Sequence, residues 1–331
     1  MSLLANAYGN FLGSALPYYQ AMPGIITPYG TLLKPGGRVA AYVRSTGAQD
    51  GEDHFASSGN LVLTLQAGLA RCRSGQNDIV YVLPGHAENV GAADVFTNLV
   101  AGTQIIGVGV PGASNNPTLT WTATASSFLL DVVDVTVSGL TMNWIGIDAV
   151  AAPLTVSARG CTIAGCTIIC EDASSGALKG IVLGTGASNS KILSNRFLSV
   201  GEAKPMTSAP ILVSGAIDDV VIAGNYISAA NPGTNVLGHI AVTGVATNVQ
   251  IVGNVCIQLE TAGTALFTIT VGAVAATGQI SYNNSLIGTD VTSTTSGVTV
   301  NAAAAATMGV FENRPKDATA TNGVLSPAAA A

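Results

Sequence analysis

Ile222-Ala223-Gly224-Asn225, repeated as Ile251-Val252-Gly253-Asn254, is the stretch that decides the fold of this chain. The phrase, an aliphatic residue with asparagine three positions later, occurs five times in succession. Its aliphatic positions, including two weaker copies upstream, are Val137, Ile163, Ile192, Ile222, Ile251, Ile280 and Val310. The steps between them are 26, 29, 30, 29, 29 and 30 residues. A fixed period in this range indicates a repeat architecture in which each coil packs only against its neighbours.

The residues around the phrase favour β-strands. Val and Ile are frequent on both sides of it, and such side chains suit a pleated, half-buried surface. A second short apolar run follows each asparagine, so we expect a strand, a bend at Gly and Asn, and another strand in every coil. A period near thirty is too long for a left-handed hexapeptide helix. The sequence therefore predicts an all-β chain that folds as a right-handed parallel β-helix, a single solenoid.

The asparagine of each phrase has two interpretations. Asn is frequent in turns and could simply mark the bend. It could also form a ladder, in which each side-chain amide binds the next one along the solenoid axis. The fixed offset in five successive coils favours a structural ladder, with predicted members Asn195, Asn225, Asn254, Asn283 and Asn313.

The charge pattern limits the classes of partner. Charged residues are 9% of the chain, and no Lys or Arg occurs between Lys204 and Arg314. Such a surface lacks the electrostatic footprint of a nucleic-acid or polyanion-binding protein. Residues 261–278 are the most apolar stretch, but Gly and Thr interrupt it, so we expect no membrane partner. Because charge is depleted at interface cores, we expect the outer wall to contact other protein, first of all in a homotrimer.

Five cysteines are an odd number. Cys161, Cys166 and Cys170 are in step with inward aliphatic positions, so we expect buried free thiols that pack as small hydrophobes. A zinc site at these three residues is the alternative, disfavoured by the absence of Cys-x-x-Cys pairs and of a nearby histidine. Reduced thiols fit synthesis in a cytoplasm, and no basic leader precedes the first charge at Lys34.

The sequence divides into four parts: an N-terminal arm at residues 1–35, a cap region at 36–75, the β-helix at 76–313 and an extended C-terminal tail at 314–331. In the cap region Leu61, Leu65, Leu69 and Cys72 have helical spacing and predict a short helix that closes the end of the solenoid. Phrases near Ile79 and Ile105 extend the period backwards, which gives about nine coils in all.

The first 33 residues of the arm are uncharged yet aromatic, which is not the composition of a disordered segment. Such a segment needs a surface that covers its rings. Either it folds back on its own domain or it docks on another subunit. Its predicted contact residues are Tyr8, Phe11, Leu16, Tyr18, Tyr19 and Tyr29.

The run Asp78-Ile79-Val80-Tyr81-Val82-Leu83-Pro84-Gly85, after the predicted helix, resembles the N-terminal cap of pectate-lyase-like proteins. The coils over residues 57–313 look like the same superfamily. Within it, residues 81–88 and 105–109 resemble β-helix proteins encoded near the capsid genes of tailed bacteriophages. Members of that group are thought of as virion surface proteins, capsid decoration or cement, and are commonly trimeric. The resemblance implies a structural protein whose partners are its own copies and the major capsid protein.

The superfamily also contains polysaccharide lyases and hydrolases, which makes the acidic residues of the coils candidates for catalysis. A lyase needs carboxylates that hold Ca²⁺ and a basic residue on one outer face. The adjacent pairs Glu171–Asp172 and Asp218–Asp219 are the candidates, and we interpret both as solvated turns. Hydrolysis needs two carboxylates across a groove, and no repeat-phased pair is present.

Other residues that could serve chemistry are scattered. His54, His86 and His239 lie far apart in the sequence, and we expect structural or solvent-facing roles for them, with a turn role for His86. Trp121 and Trp144 are the main candidates for a sugar-stacking platform, and two such residues do not suffice for one.

These patterns predict a non-enzymatic structural protein with no cofactor, no metal and no nucleic-acid partner. The leading expectation is capsid decoration or cement, made in the host cytoplasm and located on the capsid surface of the virion. The alternative is a tailspike-like fibre that binds or cleaves a bacterial surface polysaccharide. A free lyase or hydrolase is the third possibility.

Overall fold

The computed structural model describes residues 37–45, 60–92, 96–109, 114–201, 206–229, 238–259, 268–272, 275–287, 298–300 and 307–316. Its main feature is a parallel β-solenoid of about six turns, built almost entirely from short strands. Successive coils contribute strands to three sheets in turn, and neighbouring strands within each sheet are parallel. The predicted all-β parallel solenoid is therefore confirmed.

The strands are numbered in chain order. The first sheet contains β1 (Val39–Val43), β2 (Leu61–Val62), β3 (Ile79–Val82), β5 (Gln104–Gly107), β8 (Thr136–Ser138), β11 (Thr162–Ala164), β14 (Lys191–Leu193), β18 (Val221–Ala223), β22 (Val249–Val252), β25 (Gly278–Ser281) and β28 (Met308–Phe311). The second contains β4 (Ala87–Val90), β6 (Thr118–Trp121), β9 (Thr141–Asn143), β12 (Thr167–Glu171), β15 (Arg196–Ser199), β19 (Tyr226–Ala229), β23 (Val255–Gln258), β26 (Asn284–Ile287) and β29 (Arg314–Lys316). The third contains β7 (Phe128–Leu130), β10 (Leu154–Val156), β13 (Ile181–Leu183), β16 (Ile211–Val213), β20 (Ile240–Val242), β24 (Ile269–Val271) and β27 (Val298–Val300). A two-stranded sheet joins β17 (Ile217–Asp218) and β21 (Ala246–Thr247).

The aliphatic residue of each phrase lies in register with that of the next coil. Ile163 pairs with Ile192, Ile192 with Ile222, and Ile222 with Ile251. These four side chains are fully buried, whereas Lys191, one position earlier, is exposed. Because side chains alternate along a strand, the repeat of thirty residues places one column of aliphatic groups inside the solenoid.

Aromatic rings fill the interior of the N-terminal coils. Trp121 and Trp144 meet edge to face with their ring centroids 6.2 Å apart, and Trp144 meets Phe197 in the same way at 6.3 Å. The indole N–H of Trp121 donates to the carbonyl oxygen of Pro153 at 3.0 Å. Both tryptophans are fully buried. They are core residues, and neither can form a surface platform for a sugar.

The cap helix is shorter than its spacing predicted. Helix α1 spans only Leu65–Leu69, and Leu61 belongs instead to β2, where it pairs with Tyr42. Thr64 has extended backbone angles and caps α1 by accepting a hydrogen bond from the N–H of Ala67, so the helix cannot begin earlier.

Both ends of the solenoid differ from the expected boundaries. In the described residues the third sheet begins only at β7, so the solenoid has about six full turns, although the first sheet pairs strands at all nine predicted coil positions, from β3 to β28. At the other end β29 pairs with β26, so the solenoid continues through the first residues of the segment predicted as a tail. The whole of the predicted arm, residues 1–35, and the rest of the tail lie outside the described residues.

Candidate functional site

The five asparagines of the phrase lie on top of one another at the corner between the first and second sheets. All five are buried. The Oδ1 atom of each of the last four accepts two hydrogen bonds from the preceding asparagine, one from its backbone N–H and one from its Nδ2. These distances range from 2.8 to 3.1 Å. The result is a continuous ladder of amides along the solenoid axis.

The second Nδ2 hydrogen of each asparagine is also used. Asn225 donates it to the carbonyl oxygen of Ile192, and Asn254 donates it to that of Ile222, both at 2.9 Å. Each interior member of the ladder therefore binds the coil before it and the coil after it. A buried polar network in which every member has its partners stiffens a structure, whereas a partly satisfied one destabilises it.

The ladder begins at a change of residue type. Asn195 Oδ1 accepts a hydrogen bond at 3.0 Å from the backbone N–H of Cys166, which occupies the asparagine position of the coil before. One coil further upstream Leu140 fills the same position, and both side chains are fully buried. The amide column thus gives way to apolar packing toward the N-terminus.

The residue before each asparagine has a left-handed backbone. The φ angle is 65° at Gly224 and at Gly253, which explains the glycine of the phrase because residues with a Cβ atom disfavour this region. The corresponding residues of other coils are Ser194, Tyr282 and Glu312, with φ angles of 53°, 58° and 46°. These three positions keep the corner geometry without glycine.

A second left-handed corner lies three residues before the aliphatic position, and the sequence analysis missed it. Its members are Asn77, Gly102, Asp134, Gly160, Asn189, Asp219 and Asn248. Asn, Asp and Gly are the residues that tolerate positive φ. Their recurrence at one offset in the sequence was the signal that could have predicted this corner.

The candidate acids behave differently from one another. Asp172 is a solvated turn residue whose Oδ1 accepts from the N–H groups of Ser174 and Ser175 at 2.7 and 2.6 Å. These two hydrogen bonds lower the pKa of its carboxyl. Glu171, in contrast, is fully buried, so its interpretation as a solvated turn was wrong. The register of β12 shifts between Ile169 and Glu171, and the chain then turns back so that Glu171 pairs with Gly176.

Asp218 and Asp219 lie on the outside, as a turn predicts. Asp218 ends β17 and is exposed. Asp219 has a φ angle of 57° and accepts a hydrogen bond at Oδ1 from Nδ2 of Asn248 in the next coil at 2.7 Å. Side-chain oxygens here bridge coils along the second corner.

Two histidines are structural groups. His86 is buried, and its Nε2 lies 3.0 Å from Oε2 of Glu88, which also accepts from the N–H of Leu65 at 2.7 Å. His86 lies in a turn, as predicted: Pro84 and Gly85 form the turn, and the N–H of His86 donates to the carbonyl oxygen of Leu83 at 3.2 Å. Its buried imidazole, beside Glu88, also lies close to the start of α1.

His239 is fully buried, and its Nε2 donates to the carbonyl oxygen of Ala229 at 2.9 Å. Burial lowers the pKa of this imidazole to about 4. The ring is therefore neutral near pH 7. His54 lies outside the described residues.

Cys166, Cys170 and Cys256 are fully buried free thiols. Burial raises the pKa of Cys166 and of Cys256 to about 12, and that of Cys170 well above its ordinary value. Thiols of this kind are poor nucleophiles and poor metal ligands. Within the described residues no group of three or more His, Cys, Asp or Glu side chains is placed to hold a metal ion.

The predicted contact residues of the arm, Tyr8 to Tyr29, lie outside the described residues. No helix in the described ranges is long and apolar enough to cross a membrane. No known protein family, no curated protein and no solved structure matches this chain. Its functional interpretation therefore depends on the geometry of the solenoid itself.

Proposed function

We propose that this chain is a structural protein of a virus particle, a decoration or cement protein on the capsid of a tailed bacteriophage. It would be made in the host cytoplasm and would reach the capsid surface as a homotrimer. Its partners would be its own copies and the major capsid protein. The residues that bear chemistry support this reading, because they are used inside the solenoid: the asparagines join successive coils, and His239 binds the end of the preceding strand within one coil.

The observation that carries the proposal is the surface of the C-terminal coils. Between Lys204 and Arg314 the chain has no cation, and the described part of this stretch exposes large apolar side chains. They are Val245, Tyr282, Leu286 and Phe311. Exposed apolar groups on a surface poor in charge are typical of protein interfaces. A rod with such a surface suits lateral contact with a shell of other subunits.

The test is attachment to purified capsids that lack this protein. We expect the variants Val245→Lys and Leu286→Lys to bind at least about tenfold more weakly than the unchanged chain, because a lysine at an interface core must lose its hydration. Val133→Lys is the matched control, since Val133 is also exposed but lies outside the cation-free stretch. Equal binding of all three variants, or absence of binding by the unchanged chain, would contradict the proposal.

A second candidate function has one observation in its favour. Tyr282 and Phe311 lie in adjacent coils and are 58% and 56% exposed. The backbone N–H of Tyr282 donates to the carbonyl oxygen of Phe311 at 3.2 Å, so the two residues are neighbours. Exposed aromatic rings can stack on sugars, as the tailspike alternative requires. The two functions are distinguished by titrating host surface polysaccharide, without capsids, into the unchanged chain and into the variants Tyr282→Ala and Phe311→Ala. Only a glycan-binding protein should bind the polysaccharide in this experiment and lose affinity when either ring is removed.

A further inference from the structure

An apolar cluster lies on the outer side of the first sheet at its N-terminal end. Its members are Tyr42, Ile79, Tyr81, Leu83 and Ile106. Their strand neighbours, among them Val43, Val80 and Val82, pack in the main core inside the solenoid. Because side chains alternate along a strand, the cluster lies on the opposite face of the same strands. We name it the outer apolar face.

The outer apolar face is buried, which is unusual for the outside of a solenoid. Each member is 8% exposed or less in the isolated chain. The rings of Tyr42 and Tyr81 stack with their centroids 5.9 Å apart, and burial raises the pKa of both phenols. Farther along the same face of the sheet, Thr162 and Gln250 are partly exposed and Lys191 is exposed. Small side chains on this face, such as Ser138, Ala164 and Ser281, are also buried, so the N-terminal strands are distinguished by the burial of large apolar side chains.

The point at which the arm leaves the solenoid is fixed beside this face. A Cβ atom on Gly37 would lie 1.7 Å from the carbonyl oxygen of Asn77, so only glycine fits there. The N–H of Arg38 donates to Asp78 Oδ1 at 3.3 Å, and the N–H of Ile79 donates to the Arg38 carbonyl at 2.8 Å. Ile79 is the first member of the outer apolar face along β3. The chain that precedes Gly37 therefore starts next to the face.

We propose that the arm of the same chain, residues 1–35, folds back and covers the outer apolar face. The composition of the arm suits contact with the outer apolar face, because its first 33 residues are uncharged and carry four tyrosines and a phenylalanine. Residues 46–59, which join β1 to β2 in the sequence and lie outside the described residues, carry Asp50, Glu52 and Asp53. Their carboxylates would lose hydration against tyrosine rings without gaining a cation. Burial of the face in a single chain favours the chain's own arm over that of a second copy.

Of the two alternatives for the arm, the arm thus folds back on its own domain rather than docking on another subunit. The inference concerns the isolated protein and holds whether or not the protein attaches to a capsid. The surface that we propose to contact the capsid is then the cation-free stretch of the C-terminal coils, not the arm. Failure of one proposal leaves the other standing, because the two involve different surfaces and are tested in different preparations.

Photo-cross-linking of the full-length protein tests this position of the arm. Val108 packs at the rim of the outer apolar face. In the experiment it is replaced by the photo-cross-linking residue p-benzoylphenylalanine. Equal amounts of ¹⁴N- and ¹⁵N-labelled protein are mixed in denaturant and refolded together, so that any oligomer contains both labels, and are then illuminated and digested for mass spectrometry. We expect cross-links to residues 1–35 that are light–light or heavy–heavy only. The same replacement at Gln250, on the same side of the sheet, should give no cross-link to the arm.

Two results would overturn the inference. Mixed light–heavy cross-links would show that a second copy supplies the arm, and cross-links confined to residues 46–59 would show another cover. A second variant gives an independent readout. Tyr81→Ser should raise the rate of chymotrypsin cleavage at Tyr18 and Tyr19 by about tenfold, since proteolysis follows the population of the open form. If Tyr81→Ser has the circular dichroism spectrum of the original chain but is cleaved by chymotrypsin at the same rate, the inference is also contradicted.

Discussion

Asn225 donates two hydrogen bonds to a single atom of Asn254: its Nδ2 lies 2.9 Å from Oδ1 of Asn254, and its backbone nitrogen lies 3.0 Å from the same oxygen. One side-chain oxygen thus satisfies two donors of the preceding coil in a buried corner. Aspartate could accept these bonds but could not donate to the next coil, and its buried charge would be unpaired. The arrangement explains why the phrase ends in asparagine.

Replacing Asn254 by Leu should therefore destabilise the solenoid. The change leaves both donors of Asn225 without their acceptor, and each unpaired buried group costs about 1–3 kcal/mol. Asn284→Leu is the matched control, because Asn284 is exposed and lies one residue after the ladder member Asn283. Urea unfolding at pH 7 gives both free energies. Similar losses in the two variants would exclude the ladder as a major source of stability.

The left-handed corner gives a second prediction. Gly253 has a φ of 65°, and a Cβ atom added there would meet no atom within 4 Å. Gly253→Ala therefore isolates the backbone cost of the left-handed region, about 1–2 kcal/mol. Tyr282→Gly at the same corner of the next coil should have the opposite sign and raise the melting temperature. A neutral Gly253→Ala variant would show that the corner can relax.

Asp78 gives a prediction about acid pH. Burial alone would raise the pKa of this carboxyl, but hydrogen bonds from the side chain and backbone of Arg73 and from the backbone of Arg38 lower it overall. A lowered folded-state pKa contributes stability that is present above the unfolded-state value, about 3.9, and is lost as the pH falls through the folded-state value. Asp78→Asn should cost about 1.5–3 kcal/mol at pH 7.

The cost of Asp78→Asn should then shrink as the pH falls below about 3.9, because the unfolded chain binds a proton there while the folded chain still keeps its carboxylate ionised. Asp131→Asn is the control, since Asp131 is exposed. Chemical unfolding at pH 7 and pH 3 measures the difference. A cost that is the same at both pH values would contradict the assigned role of the carboxylate.

His239 should act over a different pH range. Its folded-state pKa is about 4, below the ordinary value of 6.5, because the ring is buried. Between these values the unfolded chain binds a proton that the folded chain does not, so stability falls as the pH drops from about 6.5 to about 4. The loss is up to about 3 kcal/mol at 1.36 kcal/mol per pKa unit. His239→Gln should remove this part of the slope, and identical slopes between pH 7 and 4.5 would contradict it.

The interior of the solenoid could be predicted from the sequence because the period of thirty residues aligns equivalent positions. Ile222, Ile251 and their asparagines occupy the places that the phrase implied. Burial of Glu171 could not be predicted, because no local pattern marks the register shift beside it or its pairing with Gly176. The pairing of β2 with β1 was missed for a similar reason, since the apolar spacing of Leu61 and Leu65 fits a helix as well as a strand.

The most direct test of the account is a cryo-EM map of purified particles of the phage in which we propose that this protein is a capsid component. The account predicts solenoids on the shell, grouped around threefold axes, with Val245 and Leu286 against neighbouring copies or the major capsid protein. It also predicts that the outer apolar face stays covered within its own chain. Solenoids located at the tail tip, or a purified particle without this chain, would contradict the assignment to the capsid.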